Sequence, residues 1–233
     1  MAGPLDKVKI LVVGDSGVGK SCLVHLICKG DVLKQGGWTV GCTVDVLPFE
    51  YTKKGPSRNV FLELWDVGGS AAHQSARSSF YHSFHGLILV HDLTNRKSRS
   101  NLSKWLAEVL SGSKETTGSS SFPRRASKPS LVSDYDPEQF ADDSVPILVV
   151  GTKEDLMGSV REGRQTSSLD ASGADAINVN CMNRSQFSSG STQERKLYSF
   201  FEKVIEKRYY PRGDPAQGPV EKRRSSTLLG GTR

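Results

Sequence analysis

The chain has 233 residues, with 31 Lys plus Arg against 25 Asp plus Glu and a net charge of +6. Its hydrophobic share of 36% is below the ~45–50% of an ordinary domain, so part of the chain lies outside any core, while enough apolar residues remain to exclude wholesale disorder. No run approaches the ~18 apolar residues of a membrane span. The opening MAGPLDKVKILVV lacks the architecture of a secretory signal, and Cys22, Cys28, Cys42 and Cys181 show neither CxxC nor zinc-finger spacing. A reduced, cytoplasmic protein without a structural metal is expected.

Taken in order, residues 8–14 form an apolar run suited to a buried strand, and residues 21–29 read as a helix. Residues 43–51 and 59–66 read as two strands joined by a turn at Lys54-Gly55-Pro56, and Pro48 predicts an edge position for the first. Buried-type strands follow at 86–92 and 145–151, with a helix over 98–110 between them and a weaker strand over 176–181. Leu197, Phe200, Phe201, Val204 and Ile205 recur at helical spacing within 193–209, which marks a docked final helix. Strands alternating with helices predict a doubly wound α/β fold.

Two stretches break the apolar pattern. Residues 111–144 form a 34-residue insertion whose first half is serine-rich and basic and whose second half carries five acids and no base. Such composition favours a flexible segment. A basic, disordered tail is expected over 211–233, where residues 212–233 hold five bases and two acids. One domain over 1–210 remains, interrupted by the insertion.

Gly14-Asp15-Ser16-Gly17-Val18-Gly19-Lys20-Ser21 fits G-x-x-x-x-G-K-[ST] between a strand and a helix, the context that makes the motif meaningful. Backbone N–H groups of such a loop converge on phosphate, Lys20 reaches its outer oxygens and the Ser21 hydroxyl coordinates Mg²⁺. Asp66 ends a strand in Asp-x-x-Gly, so its carboxylate suits a Mg²⁺ water and the Gly69 N–H a terminal phosphate. After the strand at 145–151 comes Thr152-Lys153-Glu154-Asp155, where Asp155 can accept from guanine N1 and its exocyclic amine, a donor pair adenine lacks.

With GDSGVGKS, WDVGG, DLTN and TKxD in this order and spacing, the chain resembles the Ras-superfamily small GTPases, and within them the Rab branch. The resemblance covers about residues 6–210. It implies a Ras-like P-loop G domain with a six-stranded, mostly parallel sheet, GTP/GDP and Mg²⁺ as cofactors, and effector and regulator proteins as partners. It makes Thr39, in Trp38-Thr39-Val40-Gly41, the second Mg²⁺ ligand beside Ser21 and Asp66. It also adds Cys22, Asn180 and Cys181 to the nucleotide contacts, the last two through a degenerate Asn178-Val179-Asn180-Cys181-Met182. The subgroup it points to implies a homodimer.

Three departures qualify the expectation. Ser70 stands where the family has the Gln that orients the attacking water, so slow intrinsic GTP hydrolysis is expected. Thr152 stands where the base-recognition motif has Asn and lacks an amide's paired donor and acceptor, so weaker tethering and faster nucleotide exchange are expected. The last cysteine is Cys181, so no prenyl or other stable membrane anchor is expected. The leading reading is an atypical nucleotide-dependent switch in signalling or trafficking. The alternative is a homodimeric adaptor stabilised by a structural GTP. Nucleic-acid binding is not expected, because the basic residues are scattered or tail-borne. Trp65 and Trp105 read as packing residues, and His73 and Gln74 as solvated loop residues.

Overall fold

The computed structural model describes residues 6–114, 145–158 and 174–210. Its order is β1 (Asp6–Val13), α1 (Lys20–Lys29), β2 (Cys42–Tyr51), β3 (Arg58–Val67), a short α2 (Gln74–Arg77) between two single 3-10 turns, and β4 (Gly86–Asp92). Then come α3 (Arg96–Ser100), α4 (Leu102–Lys114), β5 (Ile147–Thr152), β6 (Asp175–Asn178) and α5 (Thr192–Tyr209). The strands form one six-stranded sheet in the order β2-β3-β1-β4-β5-β6. Pairing is parallel except for β2 on β3, where Pro48 lies opposite Phe61 on the edge strand, as the missing N–H requires.

Alternation along β1 sends side chains into two cores. Val8, Ile10 and Val12 join Leu23, Val24 and Leu26 of α1 and Leu197, Phe200, Phe201, Val204 and Ile205 of α5. Leu11 and Val13 join Tyr81, Leu102, Trp105 and Val109 on the other face. Helices thus cover both faces of the sheet, the doubly wound arrangement. Sequential strands run outward from β1 in opposite directions, so the switch point lies beside its carboxyl end. Ligand crevices of open α/β sheets form at such a point. No described helix is long and apolar enough to cross a membrane.

Two boundaries differ from expectation. The helix expected over 98–110 is two helices meeting at Asn101, and the second continues through Lys114, four residues into the expected insertion. Gly112 lies so close to Tyr81 that a Cβ there would sit 2.9 Å from Tyr81 Cδ2. Packing thereby outweighs the poor helix propensity of Ser-Gly-Ser. The expected strand 176–181 stops at Asn178, which leaves Asn180 and Cys181 in the turn that follows. The rest of the insertion and the tail lie outside the described residues.

Candidate functional site

The loop from Gly14 to Gly19 leaves β1 at the switch point and enters α1. Gly14 has φ +152°, and a Cβ there would lie 2.1 Å from Val90 O, so the first motif glycine fits by lacking a side chain. Gly19, in the left-handed region, offers no side-chain cap to α1, whose first amides are left for another acceptor. Behind the loop, Lys20 is almost fully buried, and its Nζ donates to the carbonyls of Gly14 and Asp15, both at 2.9 Å. Burial pushes its ammonium below the usual lysine range; Asp66 and Asp15 oppose that shift and Arg77 adds to it. An anion at the loop would restore what burial removes.

Ser21, Thr39 and Asp66 come from α1, the segment before β2 and the end of β3, and they meet. The Ser21 hydroxyl donates to Asp66 Oδ2 at 2.5 Å, Thr39 Oγ1 donates to the same oxygen at 3.2 Å, and the two hydroxyls lie 3.0 Å apart. Asp66 is fully buried, yet its Oδ1 has no hydrogen-bond partner. A buried carboxylate oxygen without a donor is costly. Two hydroxyls and a carboxylate are the hard oxygen set that suits Mg²⁺ and its waters. The residues therefore fit the ion. Among the described residues no cluster of three or more His, Cys, Asp or Glu side chains offers a competing metal site.

The turn after β3 closes against this region. A Cβ on Gly68 would lie 2.5 Å from Thr39 O, and one on Gly69 would lie 2.5 Å from Gly14 O and 2.6 Å from Ser16 N. The Gly69 backbone thus rests on the phosphate loop. Ser70 begins the following turn, and its carbonyl accepts from His73 N at 3.2 Å and from Arg77 Nη1 at 3.3 Å. His73 and Gln74 are both exposed, as expected, and Gln74 also donates to Glu108 at 3.2 Å.

At the other end of the crevice, Lys153 has φ +60° and its Nζ donates to Asp92 Oδ2 at 2.6 Å. Asp155 is exposed on the turn Glu154–Leu156. That turn joins the one after β6 through Glu154 N on Val179 O at 3.4 Å, which places Asp155 beside Cys181. Asn180 accepts at Oδ1 from Met182 N at 2.8 Å, and its own N–H donates to Gln186 Oε1 at 3.2 Å. Thr152 ties β5 to the phosphate loop by a single hydroxyl, which bonds Val18 O and lies 3.0 Å from His91 O. Burial raises the thiols of Cys22, Cys42 and Cys181, the last two to about 11 and about 12, which keeps them protonated.

Some residues that touch the site carry no sequence signal. Asn101 and Trp105 both donate to the Asp15 carboxylate, and Arg77 stacks on Trp105, so Trp105 does more than fill the core. No spacing rule joins positions that far apart along a chain.

The arrangement is that of a small GTPase domain, and a family model described as "Ras of Complex, Roc, domain of DAPkinase" matches residues 9–118. The chain is 46% identical to Rab-like protein 3 of Danio rerio over 227 residues, 91% of each chain. It is 44% identical to the Rab-like protein 3 of Xenopus tropicalis and to that of Mus musculus, each over 94% of both chains. The chain belongs to the Rab-like small GTPases.

Proposed function

We propose that this protein is a guanine-nucleotide switch with slow intrinsic hydrolysis. In this reading residues 14–21 hold the phosphates, with Cys22 following them at the base of α1. Ser21, Thr39 and Asp66 hold Mg²⁺, and Thr152, Lys153, Asp155, Asn180 and Cys181 form the base end. The convergence of Ser21 and Thr39 on an Asp66 whose second oxygen lacks a partner carries the reading, together with membership of the family. Held by Ser21, Thr39 and Asp66, Mg²⁺ would supply positive charge against the phosphates. Lys20 supplies a second positive charge from behind the loop, and Gly69 presents its backbone to the terminal phosphate. Thr39 and Gly68 sit against each other, so loss of that phosphate would release both segments together.

Ser70 is too short to reach as far as a Gln, and the Arg77 guanidinium is bound by Glu108 at 2.9 and 3.0 Å instead of being free for a phosphate. Hydrolysis then depends on positioning alone or on a partner. Trp38 and Val40, which flank Thr39, are exposed, as are Val44 and Val46 further along β2, a surface where effectors and regulators would read the nucleotide state. It equally suits a second copy of the chain, as the adaptor reading requires. Nucleotide identification in purified protein, with single-turnover hydrolysis and mass measured in the GDP and GTP-analogue states, tests both. The switch reading expects bound guanine nucleotide, hydrolysis slower than the ~10⁻⁴ s⁻¹ of Ras, and partner binding that differs between states. Hydrolysis at or above that rate would sink the slow-turnover claim. A constant dimer that binds partners alike in both states would favour the adaptor.

A further inference from the structure

Asp15 places a carboxylate in a loop proposed to bind polyphosphate, where like charges repel. Its side chain turns away, onto α4. Asn101 Nδ2 donates to Asp15 Oδ2 and Trp105 Nε1 donates to Asp15 Oδ1, both at 2.8 Å. The backbone carbonyl of the same residue accepts from Lys20 Nζ at 2.9 Å. One residue therefore joins a helix on one side to the phosphate-binding lysine on the other. Trp105 is 6% exposed, and the Arg77 guanidinium lies 4.3 Å from its ring centroid. Arg77 Nη1 in turn reaches the carbonyls of Gly68 at 3.4 Å and Ser70 at 3.3 Å.

We propose that Asn101 and Trp105 are positioning residues: through Asp15 they hold the phosphate loop in its nucleotide-binding shape and so set how long the nucleotide stays bound. This rests on the guanine-nucleotide reading above. The loop owes its geometry to a backbone with few other side-chain anchors, so a displaced Asp15 would carry with it the carbonyl that holds Lys20. The charged acceptor makes both bonds stronger than neutral ones. Trp105 touches both Asp15 and Arg77, so the same helix face also steadies the turn after β3 at Gly68 and Ser70.

The test is release of fluorescently labelled GDP from the full chain, chased with unlabelled GDP, for wild type, Asp15→Ala, Trp105→Phe, Asn101→Ala and the Asp15→Ala/Trp105→Phe double variant. Asp15→Ala is expected to release about tenfold faster, and Trp105→Phe or Asn101→Ala a few-fold faster, as loss of charge-assisted bonds predicts. The double variant should be no faster than Asp15→Ala, since the bond lost in Trp105→Phe is already one of the two lost with the Asp15 carboxylate. Trp105→Phe keeps a ring beneath Arg77 and separates the lost bond from lost packing. If Asp15→Ala fails to load, the Asn101→Ala/Trp105→Phe double variant takes its place, since it removes both donors and leaves Asp15 in the loop. Unchanged release, or single effects that multiply in the double variant, would overturn the brace while leaving the nucleotide reading intact. A folded wild type that takes up no labelled GDP would overturn both.

Discussion

Thr152 has one hydroxyl hydrogen and two carbonyls within reach, Val18 O and His91 O. The bond to Val18 ties β5 to the phosphate loop, and the second carbonyl receives at most a weak share. Thr152→Ala is expected to lose about 1 kcal/mol of tethering, the usual net worth of such a bond, and to speed labelled-GDP release several-fold. A release rate matching wild type would show that the tether does not govern retention. At this scale the phosphate loop, Ser21 and Asp66 were legible because short-range spacing encodes their chemistry. Thr39 was legible only through the family resemblance. Thr152 was legible as a departure, but its consequence was not, since a hydroxyl can reach Val18 only if β5 lies close to the loop. Asn101, Trp105 and Arg77 were not legible as site residues, because their partners are brought near by the sheet order alone.

The elements themselves follow from apolar periodicity, and the final helix expected over 193–209 is found as Thr192–Tyr209. Its docking depends on a detail that periodicity does not carry. Gly86 opens β4 directly beneath α5, and a Cβ there would lie 2.6 Å from Val204 Cγ2 and 3.2 Å from Phe200 Cζ. Gly86→Ala therefore overpacks this junction and is expected to cost roughly 1–3 kcal/mol of stability. Chemical denaturation followed by circular dichroism checks this, and a midpoint equal to wild type would mean that α5 shifts freely. The break between α3 and α4 was hidden for a similar reason. Asn101, at the junction, keeps helical dihedrals and sends its side chain to Asp15. Local propensity does not reveal that competing contact.

At the scale of the whole molecule, stability should fall in two steps as pH drops. Burial, with the Arg99 charge, holds His91 below its ordinary value near 6.5, and burial with Arg208 does the same for His85, whose Nδ1 accepts from Lys9 N. The unfolded chain therefore binds more protons than the folded one just below pH 6.5, so stability declines from there toward the depressed folded values. The second step involves Asp92 and Glu206. Burial alone would raise Asp92, but the bonds from Lys153 and Thr94 outweigh it; for Glu206 the Lys54 bond dominates over burial. Both are held below their ordinary values of 3.8 and 4.5, so their contribution is present above those values and lost as pH falls through the folded ones. Thermal melts between pH 7.5 and about 3 at constant ionic strength should show both declines. His91→Leu should reduce the first while leaving the His85 share, and a flat profile above about pH 5 in the wild type would contradict it.

Trp38 is 89% exposed while Trp105 is buried and Trp65 lies under the Lys9 ammonium at 3.9 Å. The three indoles thus differ in their access to solvent, and the accessible one is the immediate neighbour of Thr39. A collisional quencher such as iodide would reach Trp38 first. If Thr39 responds to nucleotide as proposed, the quenchable fraction of the intrinsic emission would follow that segment in time, and the chain would carry its own optical reporter without any attached dye.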